Sequence, residues 1–306
     1  MSTPESIVTS YANPDLDGVA CAIAISQLEP GGWQARVTGR IDEETRMVLQ
    51  ALGLVEPPSL EDWSNVGNIW LVDTHHRRQL AKGLPNLRVS RITDHHTGGD
   101  PQWFSNAQIQ NEPVGAAATL VAERYLRDPE LLPGALAVLL QCAIASNTLD
   151  FKAPATSQRD REVSDALSAI QPLTIELRLA MNAARRGILE LATTLLVRRD
   201  IKAFSTTQGL VVVGQLEAPG ALDLLLRSDL VGALHDLATT EGASSVVLNL
   251  VDTALGHSAL VVTNEVVERM LLSGLGIDAS SSGVIRAPRI LQRKTDVVPF
   301  LMGERS

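Results

Sequence analysis

The chain has few aromatic side chains: four tryptophans, four phenylalanines and two tyrosines, 3% of 306 residues. Proteins that grip single-stranded nucleic acid need stacking platforms in a basic groove. The formal charge of −9 has the opposite sign, so a nucleic-acid-coating role is disfavoured, although a local cationic pocket for a small anion is not. Cysteine is equally scarce. Cys21 and Cys142 lie in apolar, helix-like contexts, which excludes a disulfide framework and predicts two buried small hydrophobes. No apolar run reaches the roughly 18 residues that a membrane span requires. Met1 to Ser6 is polar, unlike a secretory leader, so a cytoplasmic protein is expected. Neither an internal repeat nor a low-complexity tract is evident. What the chain does have is 45% hydrophobic and 20% charged residues, enough for a large core of Leu, Val, Ala and Ile and a length comfortable for two domains.

The first half alternates strand-like and helix-like segments. Strands are expected at 6–10, 34–39, 68–73 and 87–93. Helices are expected at 17–28, 43–52, 114–127, 135–146 and 160–170. Asp17 is placed to cap the first helix and Gly53 to end the second. This rhythm predicts an α/β fold, with a parallel sheet and helices on both faces. A long helical stretch, about 175–196, leads to a second, smaller α/β pattern. There, strands at 202–205 and 210–215 pair around Gln208-Gly209. A helix at 224–239, strands at 245–251 and 258–262, a helix at 264–272 and a loop at 279–283 follow. The boundary is expected near 188–198, giving domains of 1–188 and 198–306.

Three strand ends carry carboxylates. Asn13-Pro14-Asp15-Leu16-Asp17 follows the first strand, Val72-Asp73 ends the third, and Asp94-His95-His96 ends the fourth. Aspartates gathered at one edge of an α/β sheet suit a hard divalent cation, and an imidazole shifts the preference toward transition metals. Taken singly, Asn-Pro-Asp is turn chemistry and Asp17 a helix cap. Taken as a set, the residues predict a metal-dependent phosphate hydrolase acting through a metal-activated water. Asp94 is expected to orient the adjacent ligand imidazole. Asp160, with Thr156 and Arg159, reads as a helix start, and His235 and His257 as structural residues.

This set resembles the DHH phosphoesterase superfamily. Ser146-Asn147-Thr148 and the run from Thr156 to Asp160 resemble that family's Ser-Asp-Thr motif and the Thr/Ser-x-x-Asp run after it. Asp200-Ile201-Lys202, Gly214-Gln215-Leu216-Glu217 and Arg293-Lys294-Thr295-Asp296-Val297-Val298-Pro299 resemble its DHHA2 domain. At this length the combination is similar to manganese-dependent family II inorganic pyrophosphatases and their exopolyphosphatase-like relatives. The resemblance implies Asp15, Asp17, Asp73 and His95 as ligands of one or two Mn²⁺ (or Mg²⁺ or Co²⁺) ions. It implies Asn147 as a weak further ligand, and His96 as a catalytic group contacting the phosphate. Lys202, Arg293 and Lys294 would be substrate clamps on a closing second domain. The partner implied is a small phosphorylated anion: pyrophosphate, polyphosphate or a nucleotide. A homodimer paired along an exposed sheet edge is open.

The chain departs from the pyrophosphatase pattern at several positions. Tyr11 stands where that family has histidine, and a neutral phenol is a poor ligand. Asn147 replaces an aspartate, keeping an amide oxygen but losing a charge. Gln292, Thr295 and Asp296 replace Ser, Lys and Gln. His75 or His76 could reach the site and compensate, or the two form an ordinary polar loop. A catalytically degenerate ligand-binding or regulatory protein is therefore the alternative function, and a nuclease for short oligonucleotides a third.

Overall fold

The computed structural model describes residues 4–277 and 283–303. All but the last residue of the loop expected at 279–283 lies outside the described residues. The chain forms two compact units, Met1–Met181 and Asn182–Ser306. In the first, the order is β1 (Glu5–Thr9), α1 (Leu16–Leu28), β2 (Gln34–Ala35), α2 (Glu43–Ala51), β3 (Val66–Val72), β4 (Val89–Asp94) and β5 (Gln108–Asn111). These are followed by α3 (Ala117–Tyr125), α4 (Gly134–Asn147), α5 (Gln158–Ile170) and α6 (Ile175–Gly187), which crosses the division between the units.

The sheet is ordered β2-β1-β3-β4-β5 and every pairing is parallel. Because β1, β3 and β4 are adjacent and parallel, their carboxyl ends lie side by side, about 4.8 Å apart per strand. The chain leaves β1 for β2 on one side and returns to β3 on the other, and it is at such a reversal that α/β sheets place their ligands. Side-chain alternation separates two cores. Val8, Trp70 and Val72 pack with helical residues such as Ala20, Val121 and Leu140 on one face. Ile7, Ile69, Leu71 and Ile92 pack with Leu84, Phe104 and Trp103 from the connecting segments on the other.

Local chemistry explains where the expected elements moved. Asp15, not Asp17, caps α1: its Oδ1 accepts from the Asp17 and Gly18 amides at 3.0 and 3.3 Å. Asp17 instead lies in the first turn, buried. The strand expected at 34–39 shortens to two residues, with a single bridge from Val37 to Ser59 beyond it. β5 carries no β-branched run beyond Ile109 and was not expected. The Asp160 expectation is met by a capping box: Ser157 accepts from the Asp160 amide while Asp160 accepts from the Ser157 amide.

The second unit contains α7 (Thr193–Leu196), β6 (Ile201–Thr206), β7 (Gly209–Ala218), α8 (Leu230–Glu241), β8 (Ser245–Asp252), β9 (His257–Val262), α9 (Glu265–Leu275), β10 (Val284–Ala287) and α10 (Val298–Leu301). Its sheet is ordered β10-β9-β8-β7-β6. Only β7 and β8 are parallel, the remaining pairs being antiparallel. The helical stretch expected at 175–196 is broken at Ile188–Glu190. Both cysteines are buried thiols. No helix among the described residues is long and apolar enough to cross a membrane.

Candidate metal centre

The three strand ends deliver their side chains to one pocket of the first unit. Asp73 follows β3 with φ of +59°, a left-handed conformation that is uncommon outside glycine and that Asp and Asn tolerate best. Its amide donates to the Thr93 carbonyl at 2.8 Å, which fixes the bend. The carboxylate is buried, and Oδ1 has no hydrogen-bond partner. It lies 3.2 Å from His95 Nε2. The other nitrogen of that ring, Nδ1, sits 2.9 Å from the Val114 carbonyl. A carbonyl only accepts, so Nδ1 carries a proton, and Nε2 is the nitrogen that faces Asp73. Asp17 Oδ2 is 3.9 Å from the same nitrogen.

Asp17 also serves α3. Its two oxygens accept from the Ala117 and Ala118 amides at 2.8 and 2.7 Å. Ala116, at the N-cap of α3, makes no side-chain cap, so a carboxylate from α1 satisfies these amides and complements the helix dipole. Asn147 Nδ2 donates to Asp17 Oδ2 and to the Gly115 carbonyl, both at 3.0 Å, and lies 3.3 Å from His95 Nε2. Tyr11 accepts from the Asp15 amide at 3.1 Å through its phenolic oxygen. Burial first, then the charges of Asp15 and Asp73, hold that phenol well above its ordinary pKa. It therefore offers the pocket a neutral hydroxyl.

Asp94, His95 and His96 do not act alike. One atom from each of Asp73, Asp94, His95 and His96 falls within 4.8 Å of the others, but Asp94 is already engaged. Its Oδ1 accepts from the His95 and His96 amides at 2.7 and 3.2 Å and pairs with His96 Nδ1 at 2.8 Å. Its Oδ2 pairs with His75 Nδ1. Asp94 thus orients His96 and His75, whereas the ring of His95, the expected beneficiary, is oriented by Val114. His75 is the residue that sequence reasoning undervalued. It is buried, its Nε2 lies 2.5 Å from the Gly98 carbonyl, and it turns toward Asp94 rather than into the pocket. A histidine two residues past a strand-end aspartate was the available signal, and it was read only as a ligand or a loop residue. The His76 ring lies 6.0 Å from that of His96.

The electrostatics are those of a site short of positive charge. Burial first, and then neighbouring carboxylates, raise Asp73 well above the usual range. Burial outweighs the charge of His95 and raises Asp17 to about 6. Asp15 is raised by burial and by Asp42. Burial would raise Asp94 too, but hydrogen bonds and charge from His96, with the His75 bond, bring it below the usual range. Burial opposes charge on His96, yet Asp94 and Asp73 overcome it and raise that imidazole. A divalent cation reverses the penalty on buried carboxylates. The orphaned Asp73 Oδ1, His95 Nε2 and the Asp17 carboxylate fit one.

These shifts predict a pH dependence. Unfolded carboxyls titrate near about 4, so carboxyls raised in the fold contribute stability that is complete below that value. It is lost as pH rises through about 6, the folded value of Asp17. Mn²⁺ requires the ionised forms. The Tm increment on adding Mn²⁺ to EDTA-treated protein should therefore be larger at about pH 7.5 than at about pH 5. Equal increments would contradict the assignment.

In the second unit, Arg293 and Lys294 open a π-helical turn, Arg293–Val297. The Arg293 guanidinium is not held out to solvent: it pairs with Asp200 Oδ1 at 2.9 Å and donates to the Asp200 carbonyl at 2.8 Å. Its amide donates to Gln215 Oε1 at 2.7 Å. Lys202, on β6, has its pKa lowered by burial first and then by the charge of Arg293, with Asp200 opposing both. Asp296 does not confront them. It accepts from Arg289 at 2.7 Å and from the Gln292 amide at 3.0 Å, so it braces the turn.

Comparison with known proteins agrees with this architecture. The N-terminal domain of the DHH family matches residues 5–144 and the DHHA2 domain matches 179–303. The chain thus carries a DHH-type N-terminal domain followed by a DHHA2 domain. It is 29% identical over 304 residues to a Clostridium acetobutylicum protein named a probable manganese-dependent inorganic pyrophosphatase, covering 96% of each chain. It is also 29% identical over 311 residues to the manganese-dependent inorganic pyrophosphatase of Methanocaldococcus jannaschii, covering 96% of this chain and 97% of that one. A crystal structure from Methanococcus jannaschii, assigned to the family II inorganic pyrophosphatases, superposes with a TM-score of 0.75 at 26% identity. That match covers 96% of this chain and 97% of the other.

Proposed function

We propose that this protein is a Mn²⁺-dependent hydrolase of phosphoanhydride bonds, with inorganic pyrophosphate as the substrate. The observation that carries the reading is the buried Asp73 Oδ1, which has no hydrogen-bond partner and faces His95 Nε2 at 3.2 Å in a chain with DHH and DHHA2 domains. Asp73, His95 and Asp17 would hold a cation, with Asp15 beside them. A bound divalent cation supplies a water of lowered pKa and offsets charge on a phosphoryl oxygen. His96 has its Nδ1 fixed by Asp94 and a raised pKa. Its Nε2 proton is thus available to a phosphate oxygen, and the charge on that ring favours the developing anion.

Lys202, Arg293 and Lys294 are proposed as the groups that bind the substrate's remaining charge. The depressed pKa of Lys202 supports this, because an anion relieves the repulsion from Arg293. Lys202→Ala should raise KM for pyrophosphate by about tenfold, the worth of one charge-assisted hydrogen bond, with a smaller change in kcat. An unchanged KM would remove Lys202 from the substrate site.

Phosphate release from pyrophosphate, tripolyphosphate and a nucleoside triphosphate, with Mn²⁺ and with EDTA, tests the whole reading. Metal-stimulated release from pyrophosphate is expected, and absence of release from every substrate would overturn it. Tyr11 and Asn147 favour a second reading, a phosphate-binding protein without turnover, which predicts pyrophosphate binding in that same assay's inactive protein.

A further inference from the structure

Asn147 is the last residue of α4, and the turn after it is held in an uncommon shape. Leu149, Asp150 and Phe151 have φ of 52°, 53° and 63°, three successive non-glycine residues in the left-handed region. Asp150 is paired with Arg178, and the Arg161 guanidinium lies 5.1 Å from the Phe151 ring centre. Thr148 donates to the Ile144 carbonyl at 2.6 Å and accepts from the Phe151 amide at 3.2 Å. The Asn147 side chain is thus aimed into the metal pocket by a braced turn.

What it presents there is settled by its neighbours. The Gly115 carbonyl and Asp17 Oδ2 face one end of the amide, with His95 Nε2 3.3 Å away. The carbonyl and the carboxylate are acceptors, so that end is the NH₂ group. The Gly115 amide, in the preceding peptide unit, donates to buried Asp160 at 2.8 Å. Turning the Asn147 amide to offer Oδ1 to a cation would set that oxygen against the Gly115 carbonyl, both electron-rich.

We infer that Asn147 competes with the cation rather than ligating it. This corrects the expectation of a weak oxygen ligand, and it rests on the metal-dependent reading above. The NH₂ group engages Asp17 Oδ2 and approaches His95 Nε2, the same atoms that would bind metal. A cation on Asp17 Oδ2 must therefore displace a hydrogen bond and sit beside a partly positive amide. Asn147 is in this sense a residue that sets metal affinity.

The test is Mn²⁺ titration of the metal-free full-length protein by calorimetry, comparing wild type with Asn147→Ala, Asn147→Ser and Asn147→Asp. Neither Ala nor Ser can reach Asp17 from this position. A competitor predicts that both bind Mn²⁺ as tightly as wild type or up to tenfold more tightly, and that Asn147→Asp binds at least tenfold more tightly. A ligand predicts the reverse for the first two: weakening of threefold or more in the folded Ala or Ser variant would overturn the inference. Serine keeps the test open if the alanine variant does not fold. The metal-dependent hydrolase reading fails on a different result, the absence of Mn²⁺-stimulated phosphate release, so the two failures are distinguishable.

Discussion

Replacing Asp73 by asparagine should lower Mn²⁺ affinity at least 100-fold and abolish phosphate release, while making the metal-free protein more stable. The two effects have one cause. Asp73 is buried, and its Oδ1 has no donor. Burial and the charges of Asp17 and Asp15 raise its pKa. Its ionised form is a cost to the fold, and the proposed role makes that same oxygen a metal ligand beside His95. Asparagine tolerates the φ of +59°, so the backbone bend survives the change. Removing the charge should therefore stabilise the metal-free protein. Calorimetric Mn²⁺ titration and urea unfolding in EDTA measure the two terms. A variant that lost stability in EDTA would show that Asp73 is a structural residue whose charge the fold requires.

Asp160→Ala should produce the largest loss of stability, about 3–5 kcal/mol. Asp160 is fully buried and accepts four hydrogen bonds, from the Ser157 amide and hydroxyl at 2.6 and 2.8 Å, the Gly115 amide at 2.8 Å and the Thr119 hydroxyl at 2.6 Å. Alanine removes the capping box of α5 and leaves a buried amide and a buried hydroxyl without partners, each costing about 1–3 kcal/mol. The variant also loosens Gly115, which holds Asn147 beside the metal pocket. Urea denaturation should show a lower midpoint with an unchanged slope. A loss below about 1 kcal/mol would mean that water replaces the carboxylate and that the site is less dry than its burial indicates.

The sequence made the strand ends legible because their chemistry is local. A β-branched run followed by Asp-x-Asp or Asp-His-His states both where the strand stops and what it carries. The parallel order β2-β1-β3-β4-β5 then brings those ends together. Roles decided by long-range partners were not legible. Asp17 looked like the cap of its own helix, but its carboxylate satisfies α3, a hundred residues away in sequence. Asp94 looked like the brace of His95, yet Val114 braces that ring and Asp94 grips His75 and His96. The type of side chain at Asn147 does not reveal that its amide nitrogen is the atom near Asp17 and the Gly115 carbonyl. Asp296 stood out as a departure from the family pattern, and its role is to tie its own turn together. The short strands β5 and β10 escaped notice because they are four residues each, too few for alternation to register.

Anomalous diffraction from a crystal soaked in Mn²⁺ tests the central claim most directly. The account predicts a manganese peak in the first unit at about 2.0–2.3 Å from both Asp73 Oδ1 and His95 Nε2. A well-ordered crystal with no peak between those two atoms, or with manganese bound only elsewhere, would contradict it.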